Sequence, residues 1–515
     1  MGNITSVVDI VRVHGVERAE HPALILGDRR VSWGELYARS QQMAAFLAAN
    51  GVGNQDRVAF LDRNGVEHFE VFFGAALLNA VCVDVNWRLA PPEVEYIVND
   101  SGAKVFVAGA DYAAMVDEMS PRLGAVNRVV VIGRDYEDAI ATQPVADPGT
   151  PSAHDDVAFQ LYSSGTTGRP KGVLLTNDNF FNLLPTAEEM WELDADSVNL
   201  VAMPLFHIGG GGWAVAGMYS GCTSVVVRDL DPAALVQLFV DQRITNAFLV
   251  PAVLQFMLLA PGVDDRDFSA LRAIVYGASP ISEAVLARCV RVFGCRFWQA
   301  YGLTETTGAV VHLPPQDHDP DGPNKHRLRS CGLPGPGVEL LIVEPDTQAE
   351  CEVGEIWIRS AMVMKGYWNM PEETTKSITD GWFHSGDAGY LDADGYLYIH
   401  DRVKDMIVSG GENVYPAEIE NVLMANPGIA DVAVIGVPDE RWGETPKALV
   451  VRASNAEGES LTEQDVVAFA RERLAKFKCP TSVDWIDALP RNPSGKILKK
   501  DLRAPFWEGR SRNVN

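Results

Sequence analysis

The chain of 515 residues is too long for one ordinary hydrophobic core, and its length predicts roughly two to four domains. The hydrophobic fraction of 47% and the charged fraction of 22% are typical of a globular protein in water. A net charge of -26 argues against a nucleic-acid-binding protein, because the field of the whole molecule repels polyanions. The segment 496–512 is a local exception with six basic and two acidic residues, and peripheral membrane contact through this basic C-terminal tail stays open.

The cysteines and the apolar runs bear on the compartment. Seven cysteines form no C-x-x-C pair and no zinc-like cluster with histidine in the sequence, which favours a reducing compartment and predicts a cytoplasmic protein. No apolar run reaches the roughly 18 residues of a membrane span, so stable membrane insertion is not expected. A homodimer is compatible with the sequence, which leaves the oligomeric state open.

Short apolar runs alternate with helix-length segments over most of the chain. The runs are VAFL near Val58, VCVDV near Val81, KVFVAG from Lys104, VVVIG from Val129, TSVVVR from Thr223, NAFLVP from Asn246 and AIVYGA from Ala273. Strands separated by helices predict an α/β fold with mainly parallel or mixed sheets. Ligands of such sheets bind near the carboxyl ends of the strands.

The stretch YSSGTTGRPKG, from Tyr162 to Gly172, follows one of these strand-like runs, VAFQLY. It is not a P-loop, because Pro170 stands between Arg169 and Lys171, and a glycine occupies the place of the magnesium-binding hydroxyl. Its glycines and hydroxyl groups can nevertheless approach and bind an anion. Composition alone leaves a flexible polar loop equally open.

Three further motifs each offer one charged side chain. YGLTETTG provides Glu305 among hydroxyl groups, which suits a magnesium ion held mainly by phosphate. GWFHSGD provides Asp387, which can accept both hydroxyls of a ribose, and NPSGKILK provides Lys496 in a turn near the C-terminus. Taken singly, an exposed polar turn or a solvated lysine explains each motif as well.

The sequence pattern changes near residue 400, where short elements follow one another closely. DADGYLYIHDRVKDMIVSGGENVYPAEIE places a turn, two short strand-like runs, a double glycine and a helix start within 29 residues, with Pro416 suited to the first turn of that helix. A helix from Leu461 to about Phe477 and the run SVDWIDALP follow. We therefore predict a large N-terminal domain at 1–401, a hinge at 402–404 and a small α+β domain at 405–515.

Six motifs in this order resemble those of the adenylate-forming acyl-CoA synthetase family over nearly the whole chain. They are YSSGTTGRPKG, YGASP, YGLTETTG, GWFHSGD, DRVKDMIVSGGENVYPAEIE and NPSGKILK. The resemblance implies the fold of these enzymes, with a large N-terminal domain and a small mobile C-terminal one. It also implies a ligase that activates a carboxylic acid with ATP and Mg²⁺, forms acyl-AMP and pyrophosphate, and then transfers the acyl group to coenzyme A.

The resemblance assigns roles to individual residues. It implies that ATP phosphates are bound by Ser163, Ser164, Gly165, Thr166, Thr167, Gly168 and Lys171. Magnesium falls to Glu305 with Thr166, and the adenine pocket and adjoining acyl site to Gly277, Ala278, Ser279, Gln299, Ala300, Tyr301, Gly302 and Thr304. The ribose falls to Asp387 and Arg402, the catalytic role in adenylation to Lys496, the hinge to Lys404, and the coenzyme A tunnel to Lys404, Ser409, Gly410 and Gly411.

The segment PLFHIGGGGW bears on the acid. The resemblance places His207 beside the acyl carboxylate, and no aspartate stands here to pair a substrate ammonium, so an acid without an α-amino group fits better. Gly210 and Gly211, in a run of four glycines, either open the acyl pocket or allow close helix packing. We expect a medium-to-long-chain fatty acid, with an aryl or cinnamate-type acid as the alternative.

Two other functions compete with a coenzyme A ligase. An acyl-AMP ligase or carrier-protein loader would adenylate the acid without using free coenzyme A. A catalytically silent nucleotide or lipid sensor would have lost a catalytic residue, whereas Lys496, Glu305 and Asp387 are all present.

Overall fold

The computed structural model describes residues 4–163, 169–279, 281–344, 347–402, 405–409, 412–439, 441–491 and 497–508. The helices are α1 Val7–Glu17, α2 Trp33–Ala49, α3 Val66–Leu77, α4 Pro91–Ser101, α5 Ala113–Met119, α6 Tyr136–Ile140, α7 Asn177–Phe181, α8 Leu184–Met190, α9 Ile208–Tyr219, α10 Pro232–Asp241, α11 Pro251–Leu258, α12 Glu283–Phe293, α13 Pro371–Ser377, α14 Pro416–Leu423, α15 Ala456–Ser460, α16 Glu463–Arg471 and α17 Lys499–Arg503.

The strands up to residue 301 are β1 Pro22–Leu26, β2 Arg29–Ser32, β3 Arg57–Leu61, β4 Val81–Asp84, β5 Val105–Ala108, β6 Arg128–Val131, β7 Val157–Ser163, β8 Lys171–Thr176, β9 Val198–Val201, β10 Thr223–Val226, β11 Asn246–Leu249, β12 Ala273–Gly277 and β13 Arg296–Tyr301. The later strands are β14 Val311–Leu313, β15 Leu333–Pro334, β16 Glu339–Val343, β17 Gly354–Arg359, β18 Gly366–Tyr367, β19 Ile378–Thr379, β20 Trp382–Leu391, β21 Leu397–Arg402, β22 Ile407–Ser409, β23 Glu412–Val414, β24 Ile429–Asp439, β25 Gly443–Arg452 and β26 Ser482–Trp485.

Two largely parallel sheets form the first part of the chain. One has the order β18-β8-β7-β4-β3-β5-β6 and is parallel from β7 to β6, and the other has the order β15-β14-β13-β12-β11-β9-β10-β1-β2 and is parallel from β13 to β1. Their inner strands, such as β5 and β11, are short apolar runs that are buried throughout, as sheets covered on both faces require. The α/β prediction from the sequence is confirmed.

Two smaller sheets are mainly antiparallel. The first joins β16, β17, β19, β20 and β21, and the second joins β22 to β26. Two hydrophobic clusters draw their residues from 407–506 alone, which matches the predicted small α+β domain, while the exact boundary at 402–404 stays a prediction.

The predicted helix from Leu461 to about Phe477 is wrong at both ends. Leu461 is extended, and α16 begins only after Thr462, whose hydroxyl accepts from the backbone N–H of Asp465 in a capping box. The helix ends at Arg471, and a separate 3₁₀ turn covers Lys476–Lys478. The sequence predicted the helix, but the cap decides where it begins. The predicted start of α14 at Pro416 is confirmed.

A membrane-spanning helix would have to be long and continuously apolar. Within the described ranges no helix meets both conditions.

Candidate active site

The glycine-rich stretch lies in the hairpin between β7 and β8. Ser163 ends β7 and lies directly opposite Lys171, the first residue of β8, in an antiparallel pair. Ser163 and Lys171 therefore lie side by side at the base of the loop. The predicted phosphate-binding residues Ser164, Gly165, Thr166, Thr167 and Gly168 lie outside the described residues.

A buried carboxylate contacts the base of this hairpin. Glu305 lies in a 3₁₀ turn just after β13, and its Oε1 accepts hydrogen bonds from the hydroxyl of Ser163 at 3.1 Å and from that of Tyr367 at 3.0 Å. Both hydroxyls donate to the same oxygen of this carboxylate. The fold thus places the predicted magnesium ligand against the flank of the predicted phosphate loop.

Tyr367 links this carboxylate to the lysine of the loop. Its ring centroid is 4.9 Å from the Nζ of Lys171, while its hydroxyl donates to Glu305. Burial, and then the neighbouring Glu305 carboxylate, raise the pKa of Tyr367 well above its usual value, so the hydroxyl remains a donor at neutral pH. Tyr367 therefore orients the Glu305 carboxylate and lies beside the Lys171 side chain.

Lys171 is buried and has an acidic partner on α13. Its Nζ donates to Oε2 of Glu373 at 2.8 Å, and the Oε1 of Glu373 accepts from Lys376 at 3.0 Å. Hydrogen bonds from Lys171 and then from Lys376 hold the pKa of Glu373 below its usual range. An ammonium has three donors, so Lys171 can bind Glu373 and a phosphate oxygen at once.

Sequence reasoning missed Tyr367 and Glu373. Both lie in GYWNMPEETT, which carries no glycine-rich or catalytic pattern, although β18 pairs with β8 and so brings this segment to the hairpin. The signal in the sequence is a tyrosine and a glutamate on either side of a helix-starting proline, Pro371, and it becomes meaningful only with the strand pairing.

The backbone is closely packed at the ends of β12 and β13. Gly277 lies opposite Ala300, and a Cβ on Gly277 would lie 2.1 Å from the Ala300 carbonyl oxygen. A Cβ on Gly302 would lie 2.3 Å from the carbonyl oxygen of Gly308. Backbone contacts this close exclude side chains, which gives both glycines a structural reason, and their predicted role at the adenine and acyl sites stays a prediction.

The predicted ribose-binding pair meets on adjacent strands. Asp387 on β20 lies opposite Arg402 on β21, and its buried carboxylate accepts from the Tyr301 hydroxyl at 2.8 Å. Tyr301 ends β13, so the strand that leads to Glu305 also contacts Asp387. The structure therefore joins two of the predicted site motifs, while the Arg402 side chain lies outside the described set.

His207 is the N-cap residue of α9, and its Nε2 is buried with no hydrogen-bond partner among the described residues, although part of the residue stays exposed. Burial, and then the charge of Arg88, lower the pKa of His207 to about 4. The imidazole is therefore neutral at pH 7, and it can form a hydrogen bond with a ligand without forming an ion pair.

The glycines after His207 support close packing. A Cβ on Gly210 would lie 2.1 Å from the Pro204 carbonyl oxygen, and one on Gly211 would lie 2.7 Å from that of Leu205. The first turn of α9 thus lies against the preceding loop, so an acyl channel is not needed to explain these two residues. Their predicted place in the acyl pocket stays a prediction.

The remaining predicted residues fall in the second part of the chain. Ser409 is buried at the end of β22, opposite Glu412 and Gly443. The predicted residues Lys404, Gly410, Gly411 and Lys496 lie outside the described residues.

Three possible metal ligands meet elsewhere, in a group that the sequence spacing did not reveal. His68 Nε2 lies 2.9 Å from Asp84 Oδ1, and Cys82 Sγ lies 3.5 Å from the same oxygen. A structural zinc site uses four ligands, and within the described part of the chain this group offers three. We interpret it as a buried hydrogen bond between His68 and Asp84. The His68 ring also packs against the rings of Phe60 and Phe72.

Comparisons with known proteins identify the family of the chain. A family model described as AMP-binding enzyme matches residues 11–368, and one described as AMP-binding enzyme C-terminal domain matches residues 418–496. The chain belongs to the AMP-binding enzyme family. It is an acid–thiol ligase of the AMP-forming type, with the adenylate-forming enzyme fold that the motifs predicted.

Two relatives and one solved structure show which proteins the chain resembles. The chain is 40% identical to the fatty acid–[acyl-carrier-protein] ligase ScoC of Streptomyces coeruleorubidus, over 99% of this chain and 98% of that protein. It is 37% identical to a feruloyl-CoA synthase of Amycolatopsis sp, over 93% and 95% respectively. ATP-bound MatB from Rhodopseudomonas palustris superimposes with a TM-score of 0.88 at 30% identity, covering 97% of this chain and 99% of that one.

Proposed function

We propose that this protein activates a free carboxylic acid without an α-amino group and transfers it to the thiol of coenzyme A. In the first step a carboxylate oxygen attacks the α-phosphorus of ATP and pyrophosphate leaves. In the second step the thiol sulfur attacks the acyl carbon, the thiol proton is lost, and AMP leaves. A carboxylate is a poor electrophile, and conversion of its oxygen into part of a good leaving group overcomes this.

One observation carries the proposal. The hydroxyl of Ser163, at the base of the glycine-rich hairpin, donates to the Glu305 carboxylate, so a phosphate chain in the hairpin would pass a buried acid. A single carboxylate beside phosphate oxygens suits Mg²⁺, which takes only one or two carboxylates and keeps several waters. Glu305, with Thr166 of the loop, would hold this ion, and the ion would neutralise charge on the phosphates.

The described residues around the hairpin supply positioning and charge. Lys171 brings a buried ammonium to the loop, and Tyr367 keeps Glu305 oriented. Catalysis of displacement at phosphorus depends mostly on such positioning and electrostatics. Neutral His207 at the start of α9 would donate an imidazole N–H to the acyl carboxylate, and Asp387 would accept hydrogen bonds from the ribose hydroxyls.

The first experiment supplies ATP, Mg²⁺ and a panel of fatty and aryl acids, and measures pyrophosphate, AMP and acyl-CoA. We expect acid-dependent AMP and thioester in equal amounts. Formation of ADP in place of AMP would refute the reaction type.

A carrier-protein thiol is the second candidate acceptor, because the relative with 40% identity is named as a ligase for an acyl carrier protein. Both acceptors present the same phosphopantetheine thiol, so the adenylation site does not distinguish them. Parallel reactions with coenzyme A and with a phosphopantetheinylated carrier protein decide the matter. Acyl transfer to the carrier alone would make the protein a carrier loader.

Lys496 tests the proposed division of labour between two half-reactions. We expect Lys496→Ala to abolish acid-dependent pyrophosphate release while leaving thioester formation from supplied acyl-AMP largely intact. This result would support a C-terminal domain that alternates between two positions. Equal loss of both half-reactions would count against alternation, and Lys500→Ala, four residues on, is the matched control.

A further inference from the structure

Helix α13 contacts the base of the glycine-rich hairpin through two consecutive side chains. Glu373 accepts a hydrogen bond from the Nζ of Lys171 on β8 at 2.8 Å. The hydroxyl of Thr374 accepts from the backbone N–H of Tyr367 on β18 at 2.9 Å and donates to the Met370 carbonyl at 3.0 Å. Because β18 pairs with β8, both contacts join α13 to the same pair of strands. The position of Glu373 relative to Lys171 is therefore set by more than the ion pair alone.

The surroundings of the Lys171 ammonium limit where it can point. The Lys171 side chain is 9% exposed, and its Nζ lies 4.9 Å from the centroid of the Tyr367 ring. An ammonium has three donors, so two of them can bind phosphate oxygens while Glu373 accepts from the third. The ion pair thus orients the ammonium and leaves it able to bind a nucleotide.

The Glu373 carboxylate has two opposing effects on a bound nucleotide. Its negative charge repels phosphate, but the Lys376 ammonium lies 3.0 Å from its Oε1 and offsets that charge. The Glu373 side chain is 29% exposed, so water also screens the repulsion, whereas the hydrogen bond to the buried Lys171 is direct. We therefore expect the orienting effect of Glu373 to exceed its repulsion of phosphate.

A lysine in this place without its carboxylate partner would lose its orientation. The lysine side chain is a flexible four-carbon stem, and a buried ammonium without a counter-charge is strongly disfavoured. Lys171 would turn toward water or another acceptor, and nucleotide binding would have to reorient it. Loss of Glu373 should therefore weaken the interaction of Lys171 with phosphate.

We propose that Glu373 is a positioning residue for the adenylation half-reaction, because it holds the Lys171 ammonium toward the phosphates of ATP and the pyrophosphate that leaves. This inference rests on the proposed function and gives a role to a residue that the motifs did not mark. The β- and γ-phosphates carry most of the negative charge of ATP, so an oriented ammonium acts mainly on them. Acyl-AMP lacks both, and thioester formation should not depend on Glu373.

The test measures two rates in the same protein preparations. One is kcat/KM for ATP in acid-dependent pyrophosphate release, and the other is thioester formation from supplied acyl-AMP. In Glu373→Gln we expect kcat/KM for ATP to fall about ten- to a hundredfold, as for the loss of a hydrogen bond to a charged group. Thioester formation should change by less than about twofold, which also shows that the variant is folded.

Glu372→Gln is the matched control. Glu372 is the exposed neighbour of Glu373 in the first turn of α13, so its replacement removes the same charge from the same turn. Both rates should stay within about twofold of wild type, because an exposed charge contributes little. An equal fall of kcat/KM for ATP in Glu372→Gln and Glu373→Gln would mean that only the charge of α13 matters, and it would overturn the inference.

A double-mutant cycle tests whether Glu373 acts through Lys171. In a Lys171→Met background, Glu373→Gln should change kcat/KM for ATP by less than about twofold, because the ammonium that it orients is gone. Losses that multiply in the double variant would show that Glu373 acts independently of Lys171. An unchanged kcat/KM for ATP in Glu373→Gln, or an equal loss of both half-reactions, would also refute the role.

If Glu373→Gln does not fold, Glu373→Asp takes its place. It keeps the charge and shortens the side chain by one methylene, which moves the carboxylate away from Lys171. We expect kcat/KM for ATP to fall at least about threefold while thioester formation persists. No change in kcat/KM for ATP would count against the inference.

Failure of the proposed function gives a different result. If no acid supports pyrophosphate release by the wild-type protein, the proposed ligase activity is wrong. The role of Glu373 is then measured by calorimetric titration of ATP and Mg²⁺ into the wild-type, Glu373→Gln and Glu372→Gln proteins. Weaker ATP binding in Glu373→Gln alone would support the orientation of Lys171 by Glu373, and equal binding in all three would refute it.

Discussion

Replacing Tyr367 by phenylalanine removes one of the two described hydroxyl donors to Glu305 Oε1 and leaves the ring beside Lys171. A hydrogen bond to a charged group contributes about 1.5–3 kcal/mol, so Tyr367→Phe should lower the free energy of unfolding by about that amount. If Glu305 binds Mg²⁺, loss of this orienting partner should also raise the Mg²⁺ concentration for half-maximal pyrophosphate release by about 10–100-fold.

The assay is a Mg²⁺ titration of acid-dependent pyrophosphate release, together with urea unfolding. Tyr396→Phe is the matched control, because the buried Tyr396 hydroxyl donates to Asp317 Oδ2 at 2.7 Å. Both variants should lose stability, and only Tyr367→Phe should change the Mg²⁺ dependence. An equal shift in both, or no shift in Tyr367→Phe, would refute the assignment of Glu305 as the metal ligand.

Two further predictions concern packing and pH. Gly210→Ala should lower the free energy of unfolding by about 1–3 kcal/mol, because the added methyl group would clash with the Pro204 carbonyl. Gly124→Ala is the control, because a Cβ there would have no atom within 4 Å, and it should change the free energy by less than about 0.5 kcal/mol. Urea unfolding measures both. The lowered pKa of His207, about 4, means that the unfolded chain takes up this proton first, near its ordinary pKa of about 6.5. Stability should therefore fall as pH drops from about 6.5 to 4, and His207→Gln should reduce this fall when urea unfolding is compared at both ends of the range, whereas an unchanged pH dependence would contradict a buried neutral His207.

The parallel strands were predictable because their pattern is local. Runs such as VFVA at β5 and NAFL at β11 are short, β-branched or apolar and bounded by helix-length spacers, and each forms a strand buried on both faces. The bounds of α16 were not predicted correctly, because the Thr462 capping box sets its start, and the predicted C-terminal part is instead a separate 3₁₀ turn at Lys476–Lys478.

The candidate site divides in the same way. Ser163, Lys171, Glu305 and Asp387 were predicted from short motifs. The first three lie at or just beyond a strand end, whereas Asp387 lies within β20. Tyr367 was missed, because its segment becomes part of the site only through the pairing of β18 with β8.

The sequence by itself predicted the fold and the class of reaction, because six short motifs in order resemble those of the adenylate-forming acyl-CoA synthetase family, and each motif lies within a few consecutive residues. The tertiary structure alone decided which groups meet. The Ser163–Glu305 contact spans 142 residues and the Lys171–Glu373 contact spans 202. Such contacts arise from the packing of strands and helices against one another, and the space left for the acid is what remains after that packing.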